Sequence, residues 1–547
     1  MKKYLRFKKL VSICALLSIS FLYGCKKHDL SKLKKDMAYD QNLAVPLGYG
    51  EFDIHDLLAK NDSLISVGPL GVLELVYEDD LDTITAQEVI QLPDFSMPND
   101  MLPPNFNLAV TPNFNGVITN TDVRNSDYVA SNGVELHALN FLSGSCTLNL
   151  STTIQHDVSL VITMLDLQYN SAPIVRTLDV HYTGSVPQIA STVIDLTDVL
   201  ADFTAGNVEP SLIFNRLRVN VAATITGLGN PITGTESLDL TMSMTNLEFK
   251  NITGYFGQNS LTSVTDSITM KIFNNEQSGN INFTNPKLNF TIDNTFGIPI
   301  DIDFSNLSSY QVEPPSIVTP LILDPSVAST SIDYPHFPLE NGINQSTDIL
   351  LNNTNTQNIS SLIEAVPKFF KYSVDVTSNP LGHTSQLNYI ENSSRMIIKA
   401  KLTLPFQGYA SDFVVSDTMK LNGATYGKNA EHIKSIMLRL NLNNGFPIAF
   451  KGNLEFKDSL NNTVFNMFTT DQQFVSAAFV DGNGKVSSSA SSINDYYLTD
   501  SQIALLSQVK KVIIRGKAES TQPLNTEVII YDTYKIALKL GIQVQAK

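Results

Sequence analysis

Tryptophan is absent from the 547-residue sequence, and cysteine and histidine are scarce, with three and eight copies. Flat sugar-binding platforms most often use tryptophan, so its absence disfavours a carbohydrate-binding role, although tyrosine can take its place. Cys14 falls in the N-terminal leader and Cys25 directly follows that leader, and Cys146 is left without a disulfide partner. Cys146 shares one strand face with Leu148 and Leu150, and this pattern predicts a buried structural thiol rather than a reactive one.

Recognisable catalytic and metal-binding motifs are also missing. The histidines lie at positions 28, 55, 137, 156, 181, 336, 383 and 432, and no pair has the spacing of a zinc site. The sequence has no Gly-x-Ser-x-Gly elbow, phosphate-binding loop or dinucleotide fingerprint. We therefore predict no cofactor, no metal ion and no catalytic residue, and we predict that the protein is not an enzyme. A glycan hydrolase is the enzymatic alternative, because its two carboxylates can come from distant parts of a chain.

Acidic residues outnumber basic ones, with 53 Asp and Glu against 37 Lys and Arg, and the formal net charge is −16. Nucleic acid is therefore excluded as a partner, since binding it depends on neutralising phosphates with Lys and Arg. The densest acidic cluster, Glu78-Asp79-Asp80-Leu81-Asp82, lacks the regular ligand spacing of a calcium loop. We predict that this cluster is a solvated loop.

The first 24 residues have the three parts of an export leader. No acidic residue precedes Cys25, and the basic residues of the leader are Lys2, Lys3, Arg6, Lys8 and Lys9. The apolar run from Leu10 to Leu22 is shorter than the roughly 20 residues that a transmembrane helix needs. Leu22-Tyr23-Gly24-Cys25 resembles the lipobox of bacterial lipoproteins, although Tyr23 is bulkier than that family usually has. The resemblance implies a signal peptide over residues 1–24, cleavage before Cys25 and acylation of Cys25.

Residues 25–40 follow as a basic segment with few apolar side chains, and its lysines are Lys26, Lys27, Lys32, Lys34 and Lys35. This composition predicts a solvated tether between the lipid and the folded part. In enteric bacteria an acidic residue directly after the lipidated cysteine favours inner-membrane retention, and Lys26 does not resemble that signal. By this analogy we expect lipid on Cys25 to hold the protein at the outer membrane, facing either the periplasm or the cell surface.

Alternation of apolar and polar residues dominates the remaining sequence and indicates half-exposed antiparallel strands. The clearest run ends the chain and places five apolar residues on one face: Ile536, Leu538, Leu540, Ile542 and Val544. Similar runs lie at 395–404, 436–442, 288–292 and 158–164, and residues 481–484, Asp-Gly-Asn-Gly, predict a hairpin turn. The sequence therefore predicts a mainly β protein with two or more antiparallel β-sandwich-like domains and a few short helices.

Two short helices are predicted from local spacing. Asn358 is placed to cap the first, whose apolar residues repeat at helical spacing up to Pro367: Ile359, Leu362, Ile363 and Val366. The second extends from about Asp500 to Lys510. Each helix leads into a strand through one or two lysines, in VPKFFKYSVDV and VKKVIIRGKA. The chain therefore contains an internal repeat of a helix followed by a strand.

A second repeat pairs PKLNFTIDNTFGIPIDI, residues 286–302, with IMLRLNLNNGFPIAF, residues 436–450. In each copy a strand reaches an asparagine, Asn294 or Asn444, turns through Gly and Pro, and continues as an apolar strand. A looser copy lies at 372–382. These stretches resemble the strand, Asn, turn, strand element of late-embryogenesis-abundant type β-sandwiches and, more distantly, of lipid-binding tubular proteins. The resemblance covers a small fraction of the chain and implies sandwich-like domains without implying an activity.

Prolines suggest where the domains divide. The stretch 312–338 has prolines at 314, 315, 320, 325, 335 and 338, which deny donors to a sheet ladder and stiffen the backbone. Such a stretch either joins two domains or lies along a sheet edge. We predict a connector between an N-terminal β region, 41–311, and a C-terminal β domain, 339–547, with a softer boundary near 254–263.

Composition adds another resemblance. The Asn-rich, Trp-free, acidic β sequence behind a lipobox is similar to the large uncharacterised lipoproteins of Bacteroidetes. Five triplets of Asp, then Ser or Thr, then an apolar residue resemble the O-glycosylation motif of that group, at 62–64, 82–84, 266–268, 417–419 and 458–460. The acidic surface-export signal of some of those lipoproteins is not evident in residues 26–30.

Taken together, these features favour a lipid-anchored exported protein that binds or scaffolds an envelope protein or a glycan at the outer membrane without catalysis. A carrier of an apolar ligand is one alternative, and it requires a continuous cavity lined by the alternating strand faces. A glycan hydrolase with an unrecognised carboxylate site and a surface adhesin are the others.

Overall fold

The computed structural model describes residues 42–53, 64–97, 110–129, 133–205, 213–270, 280–311, 318–364, 367–411, 413–420, 432–521 and 526–546. The predicted signal peptide, the predicted lipidation site at Cys25 and the predicted tether lie outside these ranges. Within them, the prediction of a mainly β protein with antiparallel sheets and a few short helices is confirmed. No helix in the described part is both long enough and apolar enough to cross a membrane.

The strands are numbered in chain order. Those of the first half are β1 (Asn42–Phe52), β2 (Ile65–Val67), β3 (Leu73–Thr85), β4 (Phe95–Met97), β5 (Val117–Asp127), β6 (Glu135–Thr152), β7 (Asp157–Tyr169), β8 (Ala172–Val180), β9 (Gln188–Asp195), β10 (Leu200–Asp202), β11 (Arg216–Thr226), β12 (Leu238–Tyr255), β13 (Ser260–Thr269), β14 (Asn280–Phe283), β15 (Lys287–Asn294), β16 (Ile300–Phe304) and β17 (Ser308–Tyr310). Those of the second half are β18 (Thr319–Pro320), β19 (Ser329–Ile332), β20 (Gln345–Leu351), β21 (Phe369–Ser378), β22 (Asn388–Glu391), β23 (Arg395–Pro405), β24 (Gln407–Ser411), β25 (Phe413–Lys420), β26 (Ile433–Asn444), β27 (Ile448–Lys457), β28 (Thr463–Asn466), β29 (Gln472–Val475), β30 (Phe479–Val480), β31 (Val486–Ser488), β32 (Ala490–Tyr497), β33 (Lys511–Ser520), β34 (Val528–Ile529) and β35 (Ile536–Ala546).

The short α-helices are α1 (Ala86–Val89), α2 (Pro325–Ala328), α3 (Ile359–Glu364) and α4 (Asp500–Leu505), and α4 continues as a 3-10 turn over Leu506–Gln508. Both predicted helices are therefore present, as α3 and α4. Thr499 caps α4 in a capping box with Gln502.

Asn358 does not cap α3 through its side chain, contrary to the prediction. The Oδ1 atom accepts from the N–H of Ile322 and the Nδ2 atom donates to the carbonyl of Pro320, both at 2.8 Å. The amide therefore satisfies the backbone of the neighbouring segment, which offers both a donor and an acceptor within reach. The predicted hairpin at 481–484 is confirmed, since it joins β30 to β31.

The N-terminal β unit consists of two leaves that share β10. One leaf has the order β4-β12-β6-β9, the other has the order β5-β11-β7-β8, and β10 pairs with both β6 and β7. Alternation points Leu148 of β6, Leu160 of β7 and Val221 of β11 into one core. Cys146 lies in the same core with no exposed surface, which confirms the predicted buried thiol.

The central sandwich packs two sheets face to face. One sheet has the order β2-β3-β23-β15-β20, and the other has the order β18-β17-β21-β16-β19 with β13 paired to β21. Phe290 of the first sheet contacts Phe304 of the second, with ring centroids 4.6 Å apart. The aromatic contact lies in the core that fills the space between the sheets.

The C-terminal sandwich has the same plan. Its sheets have the orders β1-β35-β26-β32 and β25-β33-β27-β28, with β29 also paired to β27. Ile436 and Val544 of the first sheet pack with Phe456 and Val512 of the second. A small sheet of β14, β24 and β34 connects the central and C-terminal sandwiches.

The two sandwiches repeat each other strand by strand. In the central one, β15 pairs with β20 and β23, β16 pairs with β19 and β21, and α3 precedes β21. In the C-terminal one, β26 pairs with β32 and β35, β27 pairs with β28 and β33, and α4 precedes β33. Both repeats read from the sequence are therefore parts of one duplicated sandwich topology.

Each sandwich also includes a strand from the beginning of the chain. In the central sandwich β3 pairs with β23, and in the C-terminal sandwich β1 pairs with β35. The chain therefore begins the C-terminal sandwich, then begins the central one, and then builds the N-terminal β unit before it completes each sandwich in turn. The looser copy at 372–382 lacks the crossing between sheets, because β21 is followed by β22, which pairs with β12 of the N-terminal β unit.

Strand pairing does not follow the predicted division at 312–338. Strands on both sides of this stretch pair with each other, as in β15 with β23 and β13 with β21. The stretch itself supplies β18 and β19, which lie at opposite ends of one sheet. Proline lacks an N–H donor and is tolerated at sheet edges. The pairing therefore supports the interpretation that this stretch lies along sheet edges, rather than the one in which it joins two domains. The change of sheet between β12 and β13 falls within 254–263.

Candidate functional site

A cleft of about 300 Å³, which we call the junction cleft, opens where the central and C-terminal sandwiches meet. Its walls come from the turn between β2 and β3, the ends of β3, β15, β20 and β23, and the start of β24. The lining residues are Pro69, Val72, Glu74, Asn285, Pro286, Lys287, Asn352, Asn353, Thr354, Pro405 and Gln407. Proline and valine supply an apolar surface, and one carboxylate, one ammonium and several amides supply polarity.

Glu74 and Lys287 bring opposite charges to this cleft without pairing. Glu74 precedes buried Leu75 on β3 and Lys287 precedes buried Leu288 on β15, so alternation points both charged side chains away from the core. Neither side chain has a hydrogen bond or an ion pair with another described residue. Strand β23 lies between them, where Glu74 pairs with Pro405 and Lys287 with Thr403, so two strand spacings and a two-residue offset place their backbones about 12 Å apart. The charged groups therefore face the same space and are left for solvent or a ligand.

The amide side chains of the cleft are held by their neighbours. The Oδ1 atom of Asn352 accepts from the N–H of Thr354 at 2.8 Å and from its hydroxyl at 2.7 Å. Asn353 donates to the carbonyl of Thr284, and Gln407 donates to Glu527. These bonds to protein groups fix the orientation of the three amides, so this wall of the cleft is preformed.

Backbone hydrogen bonds fix the junction behind the cleft. The N–H of Leu73 donates to the carbonyl of Ile530 at 3.0 Å, and the N–H of Phe406 donates to the carbonyl of Leu73 at 2.8 Å. The N–H of Ile530 in turn donates to the carbonyl of Phe406 at 2.9 Å. Leu73 also packs with Phe446 in the core of the C-terminal sandwich, so the residue before Glu74 is anchored in both sandwiches.

A second surface is the outer face of the sheet β1-β35-β26-β32. Tyr49 and Ile493 end one row of this face, with Lys539 between them, and their side chains are 80 % and 66 % exposed. Arg439 and Asp495 form a bidentate pair on the neighbouring row. The Arg439 guanidinium lowers the pKa of Asp495. This face is open and its central ion pair is satisfied, so it marks no specific ligand.

Histidine does not assemble a metal site in the described residues, where no group of three His, Cys, Asp or Glu side chains is arranged to hold an ion. His383 is 3.2 Å from Glu135 and its ring contacts Tyr255. His156 is buried, its Nδ1 accepts from the N–H of Leu228 at 3.1 Å, and its Nε2 has no protein partner. Burial lowers the pKa of His156, so the ring is held neutral.

Carboxylates do not form the facing pair that a glycan hydrolase needs within the described residues. Asp166 is the buried one, and it accepts from Nη2 of Arg218 at 2.6 Å and from the Arg218 backbone N–H at 2.6 Å. The hydrogen bond to Asp166 raises the pKa of Arg218. Hydrogen bonds from Thr291 and Asn289 lower the pKa of Asp348, which is opposite to the shift of a general acid.

The acidic cluster at 78–82 is solvated, as predicted, but it is not a loop. It lies inside β3, where Glu78 pairs with Lys401 and Asp80 with Lys399 across the strands, and the pairing shifts at Leu81. The two lysines of β23 offset the acidic charge along this edge, which allows an acidic run to remain in a strand.

The five Asp-Ser or Asp-Thr triplets occupy different settings. Thr83 is exposed in β3, Ser267 is half-buried in β13, and Ser459 is exposed in the turn between β27 and β28. The triplet at 417–419 falls in β25, and the triplet at 62–64 falls largely outside the described residues. The cleft was not predicted from the sequence, since its two charged residues come from strands far apart in the chain.

No family model matches the chain, and no curated protein matches it. Among solved structures, one similar chain is a protein of Parabacteroides distasonis described as secreted, with 9 % identity, a TM-score of 0.26, and coverage of 92 % of this chain and 99 % of that one. The PBSX exported protein XepA is another, with 9 % identity, a TM-score of 0.12, and coverage of 57 % and 86 %. At these TM-scores neither likeness carries an argument about fold or function.

Proposed function

We propose that this protein is an exported lipoprotein, anchored in the outer membrane through lipid on Cys25, that binds a ligand or partner without catalysis. The observation that carries the anchor is the leader, in which basic residues, a short apolar run and Leu22-Tyr23-Gly24-Cys25 follow in order. Several acyl chains are what make such an anchor stable, because one chain binds membranes only marginally.

The position of β1 is compatible with this anchor. This strand begins at Asn42 and pairs along its length with β35 of the C-terminal sandwich. Residues 26–41 therefore connect the proposed lipid to the C-terminal sandwich, and their lysines suit a solvated spacer.

Binding is favoured over catalysis by the chemistry of the sites. The junction cleft holds a carboxylate, an ammonium and fixed amides, without a histidine or a hydroxyl placed beside a base. Two facing unpaired carboxyl groups, which would favour a glycan hydrolase, do not occur among the described buried residues. The alternating faces that a carrier of apolar ligands would need for a cavity are packed against each other in the sandwich cores.

Metabolic labelling with palmitate tests the anchor. The wild-type protein is expected to incorporate label and to fractionate with the outer membrane, and Cys25→Ala is expected to do neither. Cys14→Ala is the matched control, because it removes a cysteine from the leader itself and should leave labelling unchanged. Label on the Cys25→Ala protein would contradict the anchor.

Exposure of whole cells to protease separates a surface adhesin from a protein that faces the periplasm. Affinity purification of the anchored protein from its native membrane then identifies a partner. A co-purifying envelope protein or glycan is expected for a scaffold, whereas turnover of an added glycan would favour the hydrolase.

A further inference from the structure

We propose that the junction cleft is a binding site for a small zwitterion of the size of a dipeptide, with its ammonium on Glu74 and its carboxylate on Lys287. The inference deepens the proposed binding function and rests on it. Two opposite charges face one cleft of about 300 Å³, and neither has a partner among the described residues. A ligand that carries both complementary charges satisfies both groups at once.

Distance fits this class of ligand. The backbones of Glu74 and Lys287 are about 12 Å apart, since one strand lies between their strands and the register offsets the two residues by two positions. An extended dipeptide spans about 7 Å, and a charge-assisted hydrogen bond of about 2.8 Å at each end extends this reach to about 12–13 Å, so its two termini can approach both groups together.

The position of Glu74 is built into the turn beside it. A β-carbon on Gly68 would lie 2.3 Å from Cδ of Glu74, so the glycine leaves the room that the carboxylate occupies. The β2 to β3 turn is closed by the N–H of Gly68 donating to the carbonyl of Val72 at 2.7 Å. The carboxylate is therefore held against a tight turn.

The remaining walls suit the body of a short peptide. Pro69, Pro286 and Pro405 give an apolar surface for small side chains, and Asn285 adds an amide at the Lys287 end. A volume near 300 Å³ is at the lower end of the range for ligand pockets, which restricts the ligand to a small molecule.

A neutral sugar fits the same cleft less well. Sugar sites generally stack a ring face on an aromatic side chain, and none of the lining residues is aromatic. A neutral ligand would also leave the carboxylate and the ammonium unpaired while removing water from them, which is unfavourable.

Calorimetric titration of the purified full-length protein in detergent with the dipeptide Ala-Leu tests the proposal. We expect binding in the micromolar to millimolar range and at least a tenfold loss with Glu74→Gln or with Lys287→Gln, because each removes one charge pair. Acetylated Ala-Leu and the C-terminal amide of Ala-Leu should each lose binding to a similar extent.

Glu78→Gln and Lys401→Gln are matched controls. These residues lie on β3 and β23 of the same sheet, outside the cleft, and their charged groups are 3.9 Å apart. Both variants should bind Ala-Leu as the wild type does.

Absence of binding up to about 10 mM Ala-Leu would overturn the proposal, as would equal binding of the capped peptides. Preferential binding of glucose would overturn it in favour of a sugar site. The titration uses purified protein, so its result is independent of whether palmitate labelling supports the anchor.

Discussion

Asn294 and Asn444 make equivalent hydrogen bonds at equivalent points of two different sandwiches. The Oδ1 atom of each accepts from the N–H two residues later, that of Phe296 at 2.9 Å and that of Phe446 at 3.0 Å. The Nδ2 atom of each donates to a carbonyl just beyond the neighbouring strand, that of Asp333 at 3.1 Å after β19 and that of Ser476 at 2.9 Å after β29. The buried amide thus satisfies the backbone where the chain leaves one sheet for the other.

Replacing either asparagine with alanine should destabilise its sandwich. Asn444→Ala leaves the buried N–H of Phe446 without its partner, at a cost of about 1–3 kcal/mol, and also removes the hydrogen bond to the carbonyl of Ser476. Urea unfolding measures the loss. Asn443→Ala is the control, because Asn443 is adjacent but exposed, and it should change the free energy of unfolding by less than about 0.5 kcal/mol. Equal effects of the two variants would contradict this role.

The ion pair between Arg218 and Asp166 should matter more than the pair between Arg439 and Asp495. Arg218→Leu leaves the carboxylate of Asp166, whose side chain is 2 % exposed, as an uncompensated buried charge. We expect a loss of about 3–5 kcal/mol in the free energy of unfolding. Arg439→Leu, on the open sheet face, should cost much less, because solvent screens that ion pair. Similar losses in denaturant unfolding would show that burial does not set the difference.

Stability should fall in mildly acidic solution partly through His156. Burial lowers the pKa of this ring in the native state, so the unfolded chain takes up the proton first. The stabilisation that neutral His156 contributes is complete above the pKa of histidine in the unfolded chain, about 6.5, and is lost as the pH falls below that value. Urea unfolding between about pH 5 and pH 8 should show a shallower pH dependence for His156→Gln than for the wild type. Equal slopes for the two proteins would contradict this role of His156.

Cys146 should be inert to alkylation in the folded protein. Burial raises the pKa of its thiol to about 12, so the reactive thiolate is scarce and shielded at neutral pH. Mass spectrometry after iodoacetamide treatment should detect no adduct on Cys146 in the native protein and one in the denatured protein. A Ser459→Cys variant, with its new thiol on an exposed turn, should react in both states. Rapid alkylation of native Cys146 would contradict the predicted burial.

The alternation of apolar and polar residues was sufficient to predict several strands of the fold. Alternation in residues 436–442 and 536–544 predicts strands that the structure contains, and it also predicts the burial of Cys146. The repeat around Asn294 and Asn444 could be recognised in the sequence. Where the chain passes from one sheet to the other, the backbone needs a side chain that both donates and accepts hydrogen bonds, and asparagine provides it at the same position in each copy. The acidic cluster at 78–82 was predicted to be a loop because its composition disfavours a strand, whereas the lysines of β23 that stabilise it lie far away in the chain.

The sequence by itself therefore determined many of the strands and which of their faces are buried, because a period of two is a property of neighbouring residues. The export leader and the acylation of Cys25 stay predictions from the sequence. Only the tertiary structure decided that β1 closes the C-terminal sandwich, that one sandwich is nested within the other, and that Glu74 and Lys287 face one cleft. Strand partners are chosen by register and burial between distant segments, and loop length weighs only weakly against such pairing.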